Sequence, residues 1–334
     1  MELIASLGRA IDRALDPLVP RGSRCALLDF PAYANVGDSA IWLGERAYLR
    51  RRGARIVYTC QHSTYSARRL ARSLGDGIIL LQGGGNLGDL WLQHQRLREQ
   101  VIADFPRARI IQLPQSIHFR DPANLARVRA LFEPHPRLTV LVRDHPSLVL
   151  ARDGLRTHAE LCPAMTCALG PLAPPRPPVR DIVWLARTDV EGRGMPEPSL
   201  TRSEERIDWI TERRTLLQRL SQARAKRIGR HPRLLGGTGR IGVGLYDAEA
   251  RQRLERGRAL LARGRVLVTD RLHGHILALL AGQPHVISDT TTGKIGDFFA
   301  TWTKESPLTT WAEAPAEALE RARALVRSSA HAAG

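Results

Sequence analysis

Apolar and polar positions alternate along the chain with two periods. Short runs of consecutive apolar residues, the length of buried strands, are separated by stretches in which apolar positions recur every three or four residues, the spacing of one helix face. Buried strands are expected at 26–30, 55–59, 77–82, 109–113 and 138–142, with helices at 39–52, 66–74, 90–104 and 125–132. This is the pattern of β-α-β units and a parallel sheet. Residues 1–20 carry Leu3, Ile4, Leu7, Ile11, Ala14, Leu15 and Leu18 broken by Glu2, Arg9, Asp12 and Arg13, an amphipathic helix and not a secretory apolar core. Five prolines between 171 and 178 stop all regular structure. Alternation then resumes, with strands at 181–186, 240–245, 265–269 and 285–288, helices at 203–225, 248–263 and 274–281, and a closing helix at 315–327. The 334 residues thus divide into an N-terminal unit (1–170), a proline-rich linker (171–178) and a C-terminal unit (179–334), each long enough for its own core. No fixed-period repeat is visible, which argues against solenoids and propellers.

Composition changes the picture in three places. No stretch approaches the roughly 20 apolar residues of a membrane-spanning helix, so a transmembrane protein is excluded and a cytoplasmic location is expected. Four cysteines (Cys25, Cys60, Cys162, Cys167) form no C-x-x-C pair and read as buried thiols. The net charge of +17 comes from 50 basic and 33 acidic residues, but only Lys226, Lys294 and Lys304 are lysines, leaving 47 arginines spread over nearly every segment. Such scatter reads as solvated helix faces, with peripheral attraction to an anionic membrane at its inner face as the second reading. Nucleic-acid binding is disfavoured, because aromatics make up only 5% and supply no stacking platform.

The polar clusters fall immediately after expected strands, where open parallel sheets bind ligands. They are Asn35-Val-Gly-Asp38, Gly83-Gly-Gly-Asn-Leu-Gly-Asp89, Arg143-Asp-His-Pro-Ser147, Arg187-Thr-Asp-Val-Glu191, Asp270-Arg-Leu-His-Gly-His275 and Asp289-Thr-Thr-Thr-Gly-Lys294. Six clusters in one topological position argue for a cleft between two domains. Gly83, Gly85 and Gly88 form a G-x-G-x-x-G, yet the next strand ends Ile111-Gln-Leu-Pro-Gln115 without the carboxylate that would hold a ribose. What remains is a loop whose backbone N–H groups approach an anion at a helix N-terminus, against the plainer reading of a tight turn. A second formal match, at 237–242, leads into an expected strand and is discounted. Arg271 offers a bidentate fork to a carboxylate or phosphate, and His273, two residues on, has the pKa range of a general acid or base. His275 reads as a supporting or helix-start residue. No His or carboxylate spacing suggests a metal.

At these positions the sequence resembles the polysaccharide pyruvyl transferase family: Asn35-x-Gly-Asp38 before a helix, Gly83-Gly-Gly85, Val142-Arg-Asp144 with Ser147, Asp270-Arg-Leu-His273, and Gly293-Lys294 ahead of Phe298-Phe299. The resemblance covers roughly residues 27–302, with the Arg-rich stretch 203–233 as a departure. It implies an α/β fold of two Rossmann-like domains with parallel sheets in a GT-B-like arrangement around an interdomain cleft. It further implies transfer of pyruvate from phosphoenolpyruvate to a sugar of a polysaccharide repeat unit, forming a ketal and releasing phosphate, with no cofactor beyond that donor. The acceptor is expected to be a lipid-linked saccharide. His273 and Arg271 are then the catalytic candidates. Arg143, Arg271 and Lys294, with Gly84, Gly85 and Asn86, are assigned to phosphoenolpyruvate, and Asn35, Asp38, Arg187 and Asp189 to the acceptor. The competing enzyme is a nucleotide-sugar glycosyltransferase of the same architecture, which would need a second-domain carboxylate for the donor ribose where the chain reads Asp289-Thr-Thr-Thr292.

Overall fold

The computed structural model describes residues 2–188, 199–210 and 238–331 and builds them into two parallel sheets flanked by helices. The first part runs α1 (Glu2–Leu15), β1 (Arg24–Leu28), α2 (Val36–Arg51), β2 (Arg55–Cys60), α3 (Ala67–Leu74), β3 (Ile78–Leu81), β4 (Gly84–Gly88), α4 (Leu92–Asp104), β5 (Arg109–His118), α5 (Pro122–Phe132), β6 (Leu138–Val142), α6 (His145–Val149) and β7 (His158–Leu161). Its sheet has the order β2-β1-β3-β5-β6-β7, with β4 also paired to β5. After the proline-rich segment come β8 (Arg180–Leu185), β9 (Glu204–Ile207), α7 (Thr238–Leu261), β10 (Gly264–Thr269), α8 (Leu272–Leu280), β11 (His285–Ile287), α9 (Lys294–Phe298), β12 (Thr309–Trp311) and α10 (Pro315–His331). The second sheet has the order β12-β11-β10-β8-β9. Helices cover both faces, which is why the central strands, such as the fully buried Ile-Ile-Leu-Leu of β3, are apolar throughout instead of alternating. Side chains at strand ends start the helices: Asn35 accepts from the Gly37 amide at 3.0 Å, and Asp144 from the Ser147 amide at 2.8 Å. Among the described residues no helix is long and apolar enough to cross a membrane.

Three expectations need correction. The glycine segment is not a turn before a helix. It continues the line of β3 as β4, paired with the far half of a β5 that extends to His118. Small residues are what permit that pairing, since a Cβ on Gly88 would lie 1.8 Å from the His118 carbonyl oxygen and Gly84 has φ +146. The helix expected from 203 instead begins with strand β9, an edge strand on β8. Its charges are neutralised sideways, Glu204 by Arg323 at 2.7 Å and Glu205 by Arg263 at 2.7 Å. Residues 211–237, including the rest of that expected helix, lie outside the described residues. The strand expected at 240–245 is part of α7, whose buried Val243, Tyr246, Ala250, Leu254 and Leu261 follow helical spacing. Strands β7, β9 and β12 were not expected.

One apolar cluster runs through both sheets. It joins Leu27 and Leu80 of the first to Leu267 and Ile287 of the second through α2 (Val36, Trp42) and α7 (Tyr246, Leu254). Phe30 stacks on Tyr246 with ring centres 4.1 Å apart. Gly257 exists because a Cβ there would lie 2.3 Å from Val36. Above this contact Asp247 of α7, 2% exposed, accepts from Trp42 Nε1 at 3.0 Å, Arg46 at 3.0 Å and Arg50 at 2.8 Å, all on α2. The outer faces carry separate clusters, under α3, α4 and α5 on one side and under α10 on the other.

Candidate active site

Loops at the carboxyl ends of both sheets enclose a cavity of about 570 Å³. Eight of the residues singled out from the sequence line it: Asn35, Asp38, Gly85, Asn86, Arg143, Arg187, His273 and Lys294. Gly84 lies behind the wall, Arg271 is not among the lining residues, and Asp189 lies outside the described residues.

One wall is cationic. Arg143 follows β6 directly, its Nε donates to Ser116 Oγ at 2.9 Å, and Ser116 in turn donates to Asp144 Oδ2 at 2.5 Å. Its backbone is fixed as well, since Trp302 Nε1 donates to the Arg143 carbonyl at 2.9 Å. Lys294, at the start of α9, donates to the Gly85 carbonyl at 3.0 Å. A Cβ on Gly85 would lie 2.8 Å from Arg143 Nη2 and 3.4 Å from Lys294 Nζ, so this glycine makes room for two cations side by side. The expected cradle of glycine-loop amides is not what the segment offers. The Gly83, Asn86 and Gly88 amides already donate to Glu45 Oε1 (2.8 Å), Gln115 Oε1 (2.9 Å) and Gln95 Oε1 (3.1 Å). Once β4 is a strand, its N–H groups no longer converge on a helix N-terminus.

His273 sits on the first turn of α8, packed against the α2 backbone where a Cβ on Gly37 would lie 2.6 Å from its Nδ1. Its Nε2 is buried with no hydrogen-bond partner among the described residues. Burial, then the charges of Arg143, Arg187 and Arg271, hold its pKa well below the ordinary range, so the imidazole is neutral. Arg271 contributes to that field from behind. It is 4% exposed and donates to Asp208 Oδ2 at 2.7 Å, the same oxygen that accepts from Thr188 Oγ1 at 2.7 Å. Asp208 carried no signal in the sequence because it lies in the segment read as helix.

The rest of the lining carries Tyr33, Asp38, His62 and His94, of which only Asp38 was expected. Tyr33 Oη and Asn35 Nδ2 each donate to Asp38 Oδ2 at 2.8 Å, and burial raises the Asp38 carboxyl pKa despite those bonds. His62 and His94 also line the cavity, with His94 Nδ1 2.7 Å from Asp29 Oδ2. Asp29, just past β1, obeys the strand-end rule that found the other clusters. His94 sits among polar helix positions and had no signal.

His275 faces away from the cavity. His285 Nδ1 donates to the Gln283 carbonyl at 2.8 Å, so its Nε2 accepts from His275 Nδ1 at 2.7 Å, and His275 Nε2 accepts from Thr303 Oγ1 at 2.9 Å. Both rings are neutral. Burial pushes the His285 pKa down to about 4 and His275 well below its usual value. Because folding lowers these pKa values, their contribution to stability is complete above about pH 6.5 and is lost toward pH 4, at about 1.4 kcal/mol per unit for each proton. Urea unfolding across that window should show the loss, and His285→Gln should remove about one proton from its slope.

Residues 35–290 match the family model for polysaccharide pyruvyl transferase. Pyruvyl transferase 1 of Schizosaccharomyces pombe is 33% identical over 302 residues, covering 84% of this chain and 69% of that protein. The Bacillus subtilis protein named as pyruvyl transferase EpsO is 30% identical over 313 residues, covering 91% of this chain and 92% of its own length. A crystal structure of a functionally uncharacterised protein from Klebsiella pneumoniae superposes with a TM-score of 0.59 at 17% identity, over 92% of this chain and 99% of that one, a likeness of fold. On the family match and these relatives, the chain belongs to the polysaccharide pyruvyl transferase family and is a transferase.

Proposed function

We propose that the chain transfers the pyruvyl group of phosphoenolpyruvate to a saccharide of a polysaccharide repeat unit, forming a cyclic ketal and releasing phosphate. The observation that carries the proposal is the cavity that brings the cations Arg143 and Lys294 together with His273, whose buried Nε2 has no hydrogen-bond partner among the described residues. Phosphoenolpyruvate carries a carboxylate and a phosphate and needs several fixed cations, and a neutral imidazole among them can carry a proton. Protonation of the enol methylene makes C2 electrophilic. Two acceptor hydroxyls then bond to C2 and phosphate leaves; of the two hydroxyl protons, one replaces the proton given to the methyl group and the other departs with phosphate. Arg271 supports this wall through its charge and its bond to Asp208 rather than by direct contact. The acceptor occupies the side of Asn35, Asp38 and Arg187. On this reading the two sheets are Rossmann-like domains in a GT-B-like arrangement, and the excess arginine holds the protein near an anionic membrane carrying a lipid-linked acceptor.

Phosphoenolpyruvate at 100 times its Kd should stabilise the protein by about 2.7 kcal/mol, read as a rise in Tm. Stabilisation by nucleotide sugars with none from phosphoenolpyruvate would move the site to glycosyl transfer.

A further inference from the structure

We infer that Asp29, His62 and His94 form a binding site for a divalent transition-metal ion, with Zn²⁺ the preferred occupant. Their donor atoms come from three elements: the residue after β1, a short turn after β2 (His62–Thr64), and the first turn of α4. These atoms lie within 4.8 Å of one another. Tetrahedral ligands about 2.0–2.2 Å from a zinc ion lie roughly 3.3–3.6 Å apart, so His62, which is exposed on its turn, must close in by about an ångström while the 2.7 Å His94–Asp29 pair opens to admit the ion.

The second observation concerns Asp29. The residue is 6% exposed; its Oδ2 faces His94 Nδ1 at 2.7 Å, while its Oδ1 is buried with no hydrogen-bond partner among the described residues. A hydrogen-bonded His–Asp pair explains Oδ2 alone. An orphaned carboxylate oxygen deep in the protein is costly, and a cation is the partner that relieves it. The surroundings do not supply that cation. Arg98, whose guanidinium interacts electrostatically with Asp29, donates instead to Gln112, Gln95 and Asn86 at 2.5, 2.8 and 2.9 Å, and Tyr33, Glu45 and Cys60, which also interact with Asp29, bring no positive charge.

Two imidazoles and one carboxylate are borderline donors that suit Zn²⁺ or Co²⁺ better than Mg²⁺ or Ca²⁺. Three protein ligands leave at least one position open, as in reactive zinc sites, and here it faces the cavity. One consequence rests on the pyruvyl-transfer reading: an acceptor hydroxyl in the open position is made more acidic and a better nucleophile.

The test is a Co²⁺ titration of the chelator-treated full-length protein, followed by visible absorption and repeated with Zn²⁺ as competitor. The expected result is one tight equivalent, displaced by one equivalent of Zn²⁺ and untouched by Mg²⁺. Binding should weaken at least about 100-fold in His62→Ala and in His94→Gln, while His158→Ala, at an exposed histidine, retains it. His62→Ala lies on an exposed turn, so its folding, checked by circular dichroism, is preserved. Absence of a tight equivalent in the wild type, or equal binding in both site variants, overturns the inference. Phosphoenolpyruvate stabilisation is read separately, so metal binding without it would overturn pyruvyl transfer alone, and the reverse outcome would overturn only the metal site.

Discussion

His273→Ala should lose at least about 10³-fold in turnover while its affinity for phosphoenolpyruvate stays within a few-fold of wild type. Proton transfer by a positioned side chain contributes about 10²–10⁴-fold, and a group needed mainly in the transition state lowers kcat and kcat/KM together. The electrostatics add a sign that a structural role would not show. In the free protein, burial and the charges of Arg143, Arg187 and Arg271 keep the imidazole neutral. A bound phosphoenolpyruvate would offset those same arginine charges and shift the His273 pKa upward, so binding should favour proton uptake. Calorimetry in buffers of differing ionisation enthalpy should report that uptake in the wild type and its loss in His273→Ala. A variant with most of its activity would remove His273 from the acid–base role. The next candidate would then be Asp38, whose carboxyl burial already pushes up, and not His275, which is tied to His285 and Thr303.

Lys294→Arg, although it conserves charge, should lower kcat/KM about 100-fold with Tm nearly unchanged. In a chain with three lysines among 50 basic residues, this one is 8% exposed beside Arg143 under the missing side chain of Gly85. Its compact ammonium donates to the Gly85 carbonyl at 3.0 Å. A planar guanidinium there would meet a second guanidinium in the same narrow space, and one of the two must leave its position in the cavity wall. On a solvated surface the exchange would be nearly silent. Wild-type kinetics would therefore place Lys294 outside the site.

What could be read from the sequence follows what the physics leaves on it. Strands buried on both faces write apolar runs, so β1, β3, β6, β10 and β11 were visible, and the polar clusters after them led to Asp38, Gly85, Arg143, His273 and Lys294, which the fold gathers around one cavity. The edge strand β9 writes Glu-Glu-Arg-Ile, with charges neutralised by residues far along the chain, and no local pattern announces that. The start of α7, Arg-Ile-Gly-Val-Gly-Leu, is as apolar as a strand and only its burial periodicity shows a helix. Glycine permits both a turn and a strand pressed against a neighbouring backbone, and the choice at Gly84–Gly88 was made by the length of β5. Arg271 looked like a ligand because its partner, Asp208, lay in the misread segment. His94 had neither period nor motif and is defined only by Asp29 across the fold.

The apolar core shared by the two sheets bears on how the cavity comes to be ready for use. Arg143 belongs to one sheet and His273 and Lys294 to the other, yet the halves meet through packed side chains, the Phe30–Tyr246 stack and Asp247. Spreading them apart would expose that apolar surface to water, so the cations are brought together, against their mutual repulsion, when the chain folds and not when the donor arrives. A preassembled cationic pocket of this kind would give up little affinity to reorganisation on binding an anion, because no hinge between the sheets has to close first.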